Sequence, residues 1–384
     1  MEPMLRFKAD DGSDFPDWEE MTLGDVGSVA MCKRVFKEQT HEVGDVPFFK
    51  IGTFGDVPDA YISQSLFDEL KSKYAYPKVG TILLSASGTI GRQVEYNGED
   101  AYYQDSNIVW LEHDDTVLDS YLKQFYSVVK WQGLEGSTIK RLYNKTILDT
   151  PFYRPSLPEQ RKIADLLSAV DDVISAQEAE VAAWEKRKKG VMQKLFSQEV
   201  RFKADDGSDL PDWEEKTLGD ICMYERQRSE GANFVGTENM LKDFGGVTFD
   251  NSNADGSGTL YHPGDTLMSN IRPYLKKAWL ADRKGTCSTD VLVFHPTSVE
   301  PGYLYWLIAS DTFVRYVMSA AKGSKMPRGD KKHIMEMPLL LPNKDEQCKI
   351  DDCLSSLNDV IIKAKNELAK WQELKKGLLQ QMFV

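Results

Sequence analysis

The sequence predicts an α+β chain with a pseudo-twofold repeat: two compact mixed domains separated by two long helices, which form an antiparallel intramolecular coiled coil. Three observations predict it. "RFKADDGSDFPDWEE" at 6–20 returns as "RFKADDGSDLPDWEE" at 201–215, with only Phe15 exchanged for Leu210. "PSLPEQRKIADLLSAVDDVISAQEAEVAAWEKRKKGVMQKLF" at 155–196 aligns without gaps on "PNKDEQCKIDDCLSSLNDVIIKAKNELAKWQELKKGLLQQMF" at 342–383, and 18 of 38 positions from Glu159 onward are identical. Both of these segments carry an apolar seam at 4–3 spacing. The order is therefore phrase, variable region, helix, twice over. A unit this long is a duplicated domain rather than a solenoid repeat of about 20–50 residues. The expected boundaries are 1–157 for the first domain, 158–200 for the first helix, 201–341 for the second domain and 342–384 for the second helix.

Within the variable regions, "GTILLSASGTIG" (80–91) reads as a strand ending in a glycine turn. Its counterpart is "GDTLMSNIRPYLKKAWL" (264–280), with Gly80 matching Gly264 and Ser85 matching Ser269. "SNIVWLE" and "TDVLVFHP" follow as β-branched and aromatic runs, which favour strands. "YLKQFYSVVKWQGL" and "YLYWLIASDTFVRYVMSAA" read as helical. Short glycine-bounded strands with one or two helices make a compact α+β domain.

The seam of the first long helix runs through Ile163, Leu167, Val170, Ile174, Gln177, Val181, Trp184, Lys188, Val191 and Leu195. The second runs through Ile350, Leu354, Leu357, Ile361, Ala364, Leu368, Trp371, Lys375, Leu378 and Met382. A heptad pattern held this long signals a coiled coil, each helix on the order of 55 Å long at 1.5 Å per residue. Pairing Ile163 with Met382 puts Leu195 beside Ile350 and Gln177 beside Leu368. Lys188 and Lys375 interrupt both seams at the same place, and their stems are expected to pack while their heads reach water.

Composition sets the class. Hydrophobic residues make up 41% and aromatics 11%, which fits folded structure rather than disorder. No apolar run nears the roughly 20 residues that cross a bilayer, and "MEPMLRFKADD" lacks a signal peptide's apolar stretch. Five cysteines (Cys32, Cys222, Cys287, Cys348, Cys353) form no C-x-x-C pair, so a reduced, cytoplasmic setting is expected. The net charge of −13 weighs against nucleic acid, but it is unevenly spread. Residues 216–340 hold 15 Lys+Arg against 14 Asp+Glu, and residues 21–156 hold 14 against 18. Local patches decide binding more than the total.

The sequence also lacks several chemistries. It has no G-x-x-x-x-G-K-[ST] loop, no G-x-G-x-x-G, and none of the Asn/Asp-Pro-Pro-aromatic tetrapeptides of amino-methyltransferases. His41, His113, His262, His295 and His333 stand alone, so no metal is expected. "PDWEEK" (211–216) superficially resembles a PD…ExK nuclease signature, but its acids crowd one turn and the first copy has Met21 in place of Lys216. A solvated turn before a strand is the expected reading, and "RGD" at 328–330 belongs to a basic loop.

The positive signal is cationic. "KGSKMPRGDKK" (322–332) carries Lys322, Lys325, Arg328, Lys331 and Lys332; "GSTIKRLYNK" (136–145), at the matching place, carries Lys140, Arg141 and Lys145. Arg272, Lys276 and Lys277 form a third cluster, with Arg92 near the related turn of the first copy. One such loop is a solvated surface. Twin loops at matching positions favour duplex DNA, since Lys and Arg suit phosphates and Arg can also read guanine edges.

"W-x-x-x-x-L-G-D-[VI]" (Trp18 to Val26, Trp213 to Ile221), the "G-[TD]-x-L-x-S" strand and "P-x-x-x-E-Q-x-K-I" before a long helix together resemble the specificity subunit of type I restriction–modification systems. The likeness covers nearly the whole chain. It implies two target-recognition domains, each reading half of a split, asymmetric DNA site, with the helices fixing the gap between halves. It further implies a chain without catalysis of its own, onto which two DNA adenine methyltransferase subunits and endonuclease–translocase subunits assemble. S-adenosylmethionine, ATP and Mg²⁺ would then belong to those partners, and no membrane is involved. Trp184, Trp371, Phe196 and Phe383 are further candidates for partner docking, the two tryptophans more as core. The modest charge of the first domain departs from expectation for a DNA reader, and partner subunits would supply much of the phosphate neutralisation. A free-standing DNA-binding regulator is the alternative.

Overall fold

The computed structural model describes residues 3–131, 141–249 and 256–383. The chain divides into two α+β units, Met1–Glu178 with Asn366–Val384, and Ala179–Lys365. The long helices Leu157–Phe196 and Lys344–Met382 each give one half to either unit.

Each unit is built around a four-stranded antiparallel sheet. In the first unit the strand order is Gly27–Ala30, Ile108–His113, Ile82–Ser85, Gln93–Glu95. In the second it is Cys222–Tyr224, Val291–Pro296, Thr266–Ser269, Ala278–Leu280. The central strands read as unbroken apolar runs because both faces are covered. Ile82, Leu84, Val109 and Leu111 face the helices, whereas Leu83, Ile108 and Trp110 face a second core with Phe48, Phe54, Phe67 and Tyr102. The second unit alternates in the same way. Met268, Leu292 and Phe294 join the helical core, and Leu267, Val291 and Val293 join a core with Tyr261 and Cys287. A three-stranded sheet covers the far face in each unit: Tyr61–Ile62, Val46–Phe49 and Tyr102–Tyr103 in one, Arg228–Gly231, Gly256–Tyr261 and Gly285–Cys287 in the other. Burial pushes the thiols of Cys32, Cys222 and Cys287 up to about 12.

The helical segment 303–321 is divided. Pro301–Ile308 ends, and Ser310 caps a new helix, Asp311–Ser319, by accepting from the Phe313 N–H at 3.0 Å. In the first unit the corresponding place holds the single helix Asp119–Val128.

Each motif shared by the two copies has a physical explanation. In "TLGD", Asp25 accepts from the Thr22 N–H at 2.7 Å and Asp220 from the Thr217 N–H at 2.7 Å, opening the helices Leu23–Val26 and Leu218–Ile221. Just before this motif, the exposed residues Pro16 and Asp17, and Pro211 and Asp212, lead into strands as expected, and the glutamates that follow already belong to those strands. Glu19–Thr22 pairs with Pro151–Arg154, and Glu214–Thr217 with Pro338–Leu341. In "E-Q-x-K-I", Glu159 is fully buried and accepts from Arg6 Nε at 3.1 Å, Arg6 Nη2 at 2.9 Å and Trp18 Nε1 at 3.0 Å. Glu346 repeats this with Arg201 at 3.2 and 2.8 Å and Trp213 Nε1 at 2.8 Å. Gln160 donates to Pro155 O at 2.9 Å and accepts from Leu118 N–H at 2.9 Å; Gln347 donates to Pro342 O at 2.8 Å and accepts from Glu300 N–H at 3.0 Å. Lys162 pairs with Asp10 at 2.6 Å and Lys349 with Asp205 at 2.5 Å. Ile163 and Ile350 are core residues.

The helix halves run antiparallel within each unit. Ile163 and Leu167 share a core with Leu379 and Met382 in the first, and Met192 and Leu195 share one with Ile350 and Leu354 in the second. Val170, Val181 and Ile361 are buried, while Ile174, Trp184, Leu357, Leu368 and Trp371 are half-buried. The two seam lysines do not simply reach water. Lys375 Nζ pairs with Asp171 at 2.5 Å, and Lys188 Nζ donates to Asn358 at 2.9 Å while lying 5.5 Å over the Trp306 ring. Burial holds Lys188 below the usual lysine range. Phe383 stacks on Tyr121 at 5.4 Å and Phe196 packs on Tyr303 at 5.9 Å, so the helix-terminal phenylalanines are spent on their own cores.

Removing the buried carboxylate of Glu346 takes away both hydrogen bonds to the Arg201 guanidinium and leaves it the exposed Asp212 at 3.7 Å. Glu346→Ala is expected to destabilise the second unit by about 3–5 kcal/mol, and Trp213→Phe by about 1 kcal/mol. Urea unfolding followed by tryptophan fluorescence checks both, and equal losses would contradict this ranking.

Candidate nucleic-acid interface

In each unit the cationic loop predicted from sequence is sewn to the hairpin that leaves the central strand. In the first unit, Arg141 bridges Ser87, Leu142 N–H donates to Ala86 O at 2.8 Å, and Arg141 Nη2 donates to Ser106 O at 2.7 Å. In the second, Arg328 bridges both Ile271 and Lys322, and its Nη2 reaches Asp290 Oδ1 at 3.0 Å. The loop around Arg328 closes on itself, with Lys322 and Arg328 exchanging backbone hydrogen bonds of 2.9 Å each. The hairpin turn follows Ser85 or Ser269, and both serines are buried. Asn107, whose Oδ1 lies 2.9 Å from Ser87 Oγ, and Asp290 stand beside the same junction in their units. The sequence reading missed both, because each comes from the turn before a strand that is distant from the hairpin in the chain.

The predicted cations separate into paired and open groups. Lys276 pairs with Asp311 at 2.8 Å, Lys322 with Asp330 at 2.7 Å and Lys332 with Glu336 at 3.6 Å. Lys145 pairs with Asp149 on the short helix Asn144–Leu148. Lys277 donates to Thr237 O at 2.7 Å, and burial lowers its pKa. Arg92 is exposed and donates to Gly55 O at 3.1 Å. Lys325 and Lys331 are exposed, and Arg272 is half-buried with its Nε lacking a hydrogen-bond partner. Lys140 lies outside the described residues. Two exposed apolar side chains accompany the cations of the second unit, Tyr274 at the hairpin turn and Met326 in the loop. Mixed cationic and apolar surface of this kind suits duplex edges and backbone together.

Among the described residues no group of three or more His, Cys, Asp and Glu side chains could hold a metal, and no helix is long and apolar enough to cross a membrane. The acids of "PDWEEK" and its twin are exposed, and several lie beside cations. Asp17 lies 4.0 Å from Arg6, Asp212 lies 3.7 Å from Arg201, Glu19 pairs with Arg154, and Lys216 binds Glu214 at 3.1 Å.

The family model for the type I restriction modification DNA specificity domain matches residues 16–183 and again 211–371. A provisionally assigned type I restriction enzyme specificity subunit of Haemophilus influenzae is 54% identical over 155 residues, an alignment that spans 40% of each chain. The MjaVIII specificity subunit of Methanocaldococcus jannaschii is 22% identical over 316 residues, 72% of each chain. The crystal structure of a type I restriction–modification system S subunit from M. genitalium shares the fold, with a TM-score of 0.62 at 16% identity over 100% of this chain and 99% of that one.

Asp330 ties the second cationic loop to the helix Lys331–Met335, accepting from Lys332 N–H at 3.0 Å and His333 N–H at 3.2 Å as well as from Lys322. The Lys322 ammonium, then these N–H groups, hold its carboxyl down at about 2. A depressed carboxylate lends order above its unfolded value and loses it as pH falls through the folded one. The loop is therefore expected to stay ordered from neutral pH to about pH 4, and to loosen between about pH 4 and pH 2. An NMR pH titration of the Lys332 and His333 amides checks this, and Asp330→Asn should abolish the transition.

Proposed function

This chain belongs to the type I restriction modification DNA specificity domain family, and from that premise we propose that it serves, without catalysis of its own, as the specificity subunit of a type I restriction–modification complex. Each unit reads one half of a split duplex target. Two DNA adenine methyltransferase subunits dock on the repeated framework, and endonuclease–translocase subunits join them in the cytoplasm. S-adenosylmethionine, ATP and Mg²⁺ are bound by those partners, and the methylated adenine is extruded into the methyltransferase rather than into this chain.

One observation carries the reading. The same hairpin-and-loop junction occurs in both units, on a framework of identical buried contacts, with different side chains at its surface. A partner thus meets two like surfaces and the DNA two unlike ones, which is what an asymmetric bipartite site requires. The paired state of Lys145, Lys276, Lys322 and Lys332 supports a division of labour in which partner subunits neutralise much of the phosphate charge.

Modified-base sequencing of the host genome with and without the gene tests it. A split motif carrying N6-methyladenine only when the gene is present is the expected result. Unchanged methylation while the neighbouring methyltransferase is expressed would remove the specificity role from this chain.

A further inference from the structure

The two hairpin turns, the second one residue longer, both use left-handed residues at their two ends and supply them with different residues. Each has a left-handed residue three positions after the strand serine and another two positions before the return strand. The first unit places glycine at both: Gly88 at φ 66° and Gly91 at φ 77°. The second places Arg272 at φ 51° and Lys276 at φ 53°. Glycine takes this conformation freely, whereas any residue with a Cβ is strained in it. Pro273, which follows Arg272, narrows the allowed backbone further. The first unit places glycine at the matching end of its shorter turn, and a left-handed φ by itself calls for no side chain.

Lys276 has a structural reason to be there, its ion pair with Asp311. Arg272 has none among the described residues, and its buried Nε–H is left without an acceptor. Its main chain is nevertheless held firmly. Arg272 N–H donates to Pro327 O at 2.8 Å and its carbonyl accepts from Leu275 N–H at 2.8 Å. From the other side Asp243 N–H donates to Leu275 O at 3.1 Å and Phe244 N–H to Lys276 O at 2.6 Å, and both donors are themselves left-handed, at φ 53° and 59°. Four strained residues therefore converge on one turn, and strain kept by its surroundings concentrates where function needs a fixed geometry. Tyr274 stands at the apex, 47% exposed, with Lys325 and Met326 exposed on the loop that carries Pro327.

We infer that Arg272 is the specificity-determining residue of the second unit, donating its guanidinium fork to the edge of a guanine in the half-site that this unit reads. The inference rests on the proposed DNA-reading role. A phosphate contact needs only positive charge, which exposed Lys325 and Lys331 supply from an unstrained loop. A base edge needs donors at a set place and angle, and guanine O6 and N7 match two parallel N–H groups. A rigid turn that fixes where the half-buried guanidinium sits is what such a contact requires before the ligand arrives.

The test uses the full chain with its methyltransferase partner, on a duplex carrying the motif found by modified-base sequencing and on duplexes with each guanine of one half-site replaced in turn. Arg272→Lys keeps charge and strain but not the fork. It is expected to lose about 10- to 100-fold discrimination at one guanine while non-specific affinity and the salt dependence of binding stay unchanged. Arg272→Gly is expected to lose the same discrimination while raising the melting temperature of the chain by roughly 2–4 °C, since it removes the backbone strain. Full discrimination retained by Arg272→Lys would overturn the inference. So would equal weakening on all duplexes with a shallower salt slope, the mark of a phosphate contact, or a lowered melting temperature in Arg272→Gly, the mark of a structural arginine. If the wild-type assembly itself shows no preference among duplexes, the DNA-reading role fails, and the fault is not with Arg272.

Discussion

The buried carboxylates Glu159 and Glu346 are the contacts on which the framework depends. A carboxylate with no exposed surface is tolerated only when its lone pairs are filled, and here each is filled by an arginine fork and an indole N–H. The arginine and the tryptophan come from the repeated phrase, and the glutamate comes from the first turn of a long helix. Neither end can change alone without stranding a charge. This explains why Arg6 and Trp18 recur as Arg201 and Trp213 while neighbouring regions diverge. The same arginines also hold the phrase in shape, Arg6 Nη2 donating to Pro16 O at 2.6 Å and Arg201 Nη2 to Pro211 O at 2.5 Å.

From that anchor the rest of each unit follows by short steps. Gln160 and Gln347 fasten the helix start to the N-terminus of the helix packed beside it, through Leu118 and Glu300. That helix covers one face of the four-stranded sheet, and the three-stranded sheet covers the other. The central strand is thereby fixed on both faces, so the turn leaving it emerges at a determined place. Side chains on that turn and its attached loop can vary freely, because nothing in the anchor depends on them. Division between a constant frame and a variable surface is thus a consequence of where the buried polar contacts lie.

Periodicity made the repeat, the antiparallel helix halves and the central strands legible in the sequence. Heptads and apolar runs are local signals, and Ile163 sharing a core with Met382 needs only that each helix present one face. The site was legible at the level of loops and not of heads. Arg141 and Arg328 were visible as twin cations, but their partners Ser106 and Asp290 lie 35 and 38 positions away, where no spacing rule reaches. The same holds for Lys276 and Asp311, and for Lys188 and Asn358, where a head expected in water binds a neighbour across the helix pair. Ion pairing between distant segments is a tertiary event, and charge counts alone cannot separate an engaged lysine from an available one.

The duplication supplies a control that a single domain lacks. When two copies of one fold need a left-handed residue at matching places, a glycine meets the need without strain, and a residue with a Cβ points to a further demand. Gly88 and Arg272 occupy one such position, and only the arginine carries strain together with an unsatisfied donor. Lys276 against Gly91 looks alike at first, yet its ion pair with Asp311 returns the strain to stability, and Gly91 has a reason of its own because a Cβ there would meet Trp131 Nε1 at 2.7 Å. The contrast between these two positions, one explained by packing and ion pairing and the other not, is what isolates Arg272 from the cations around it.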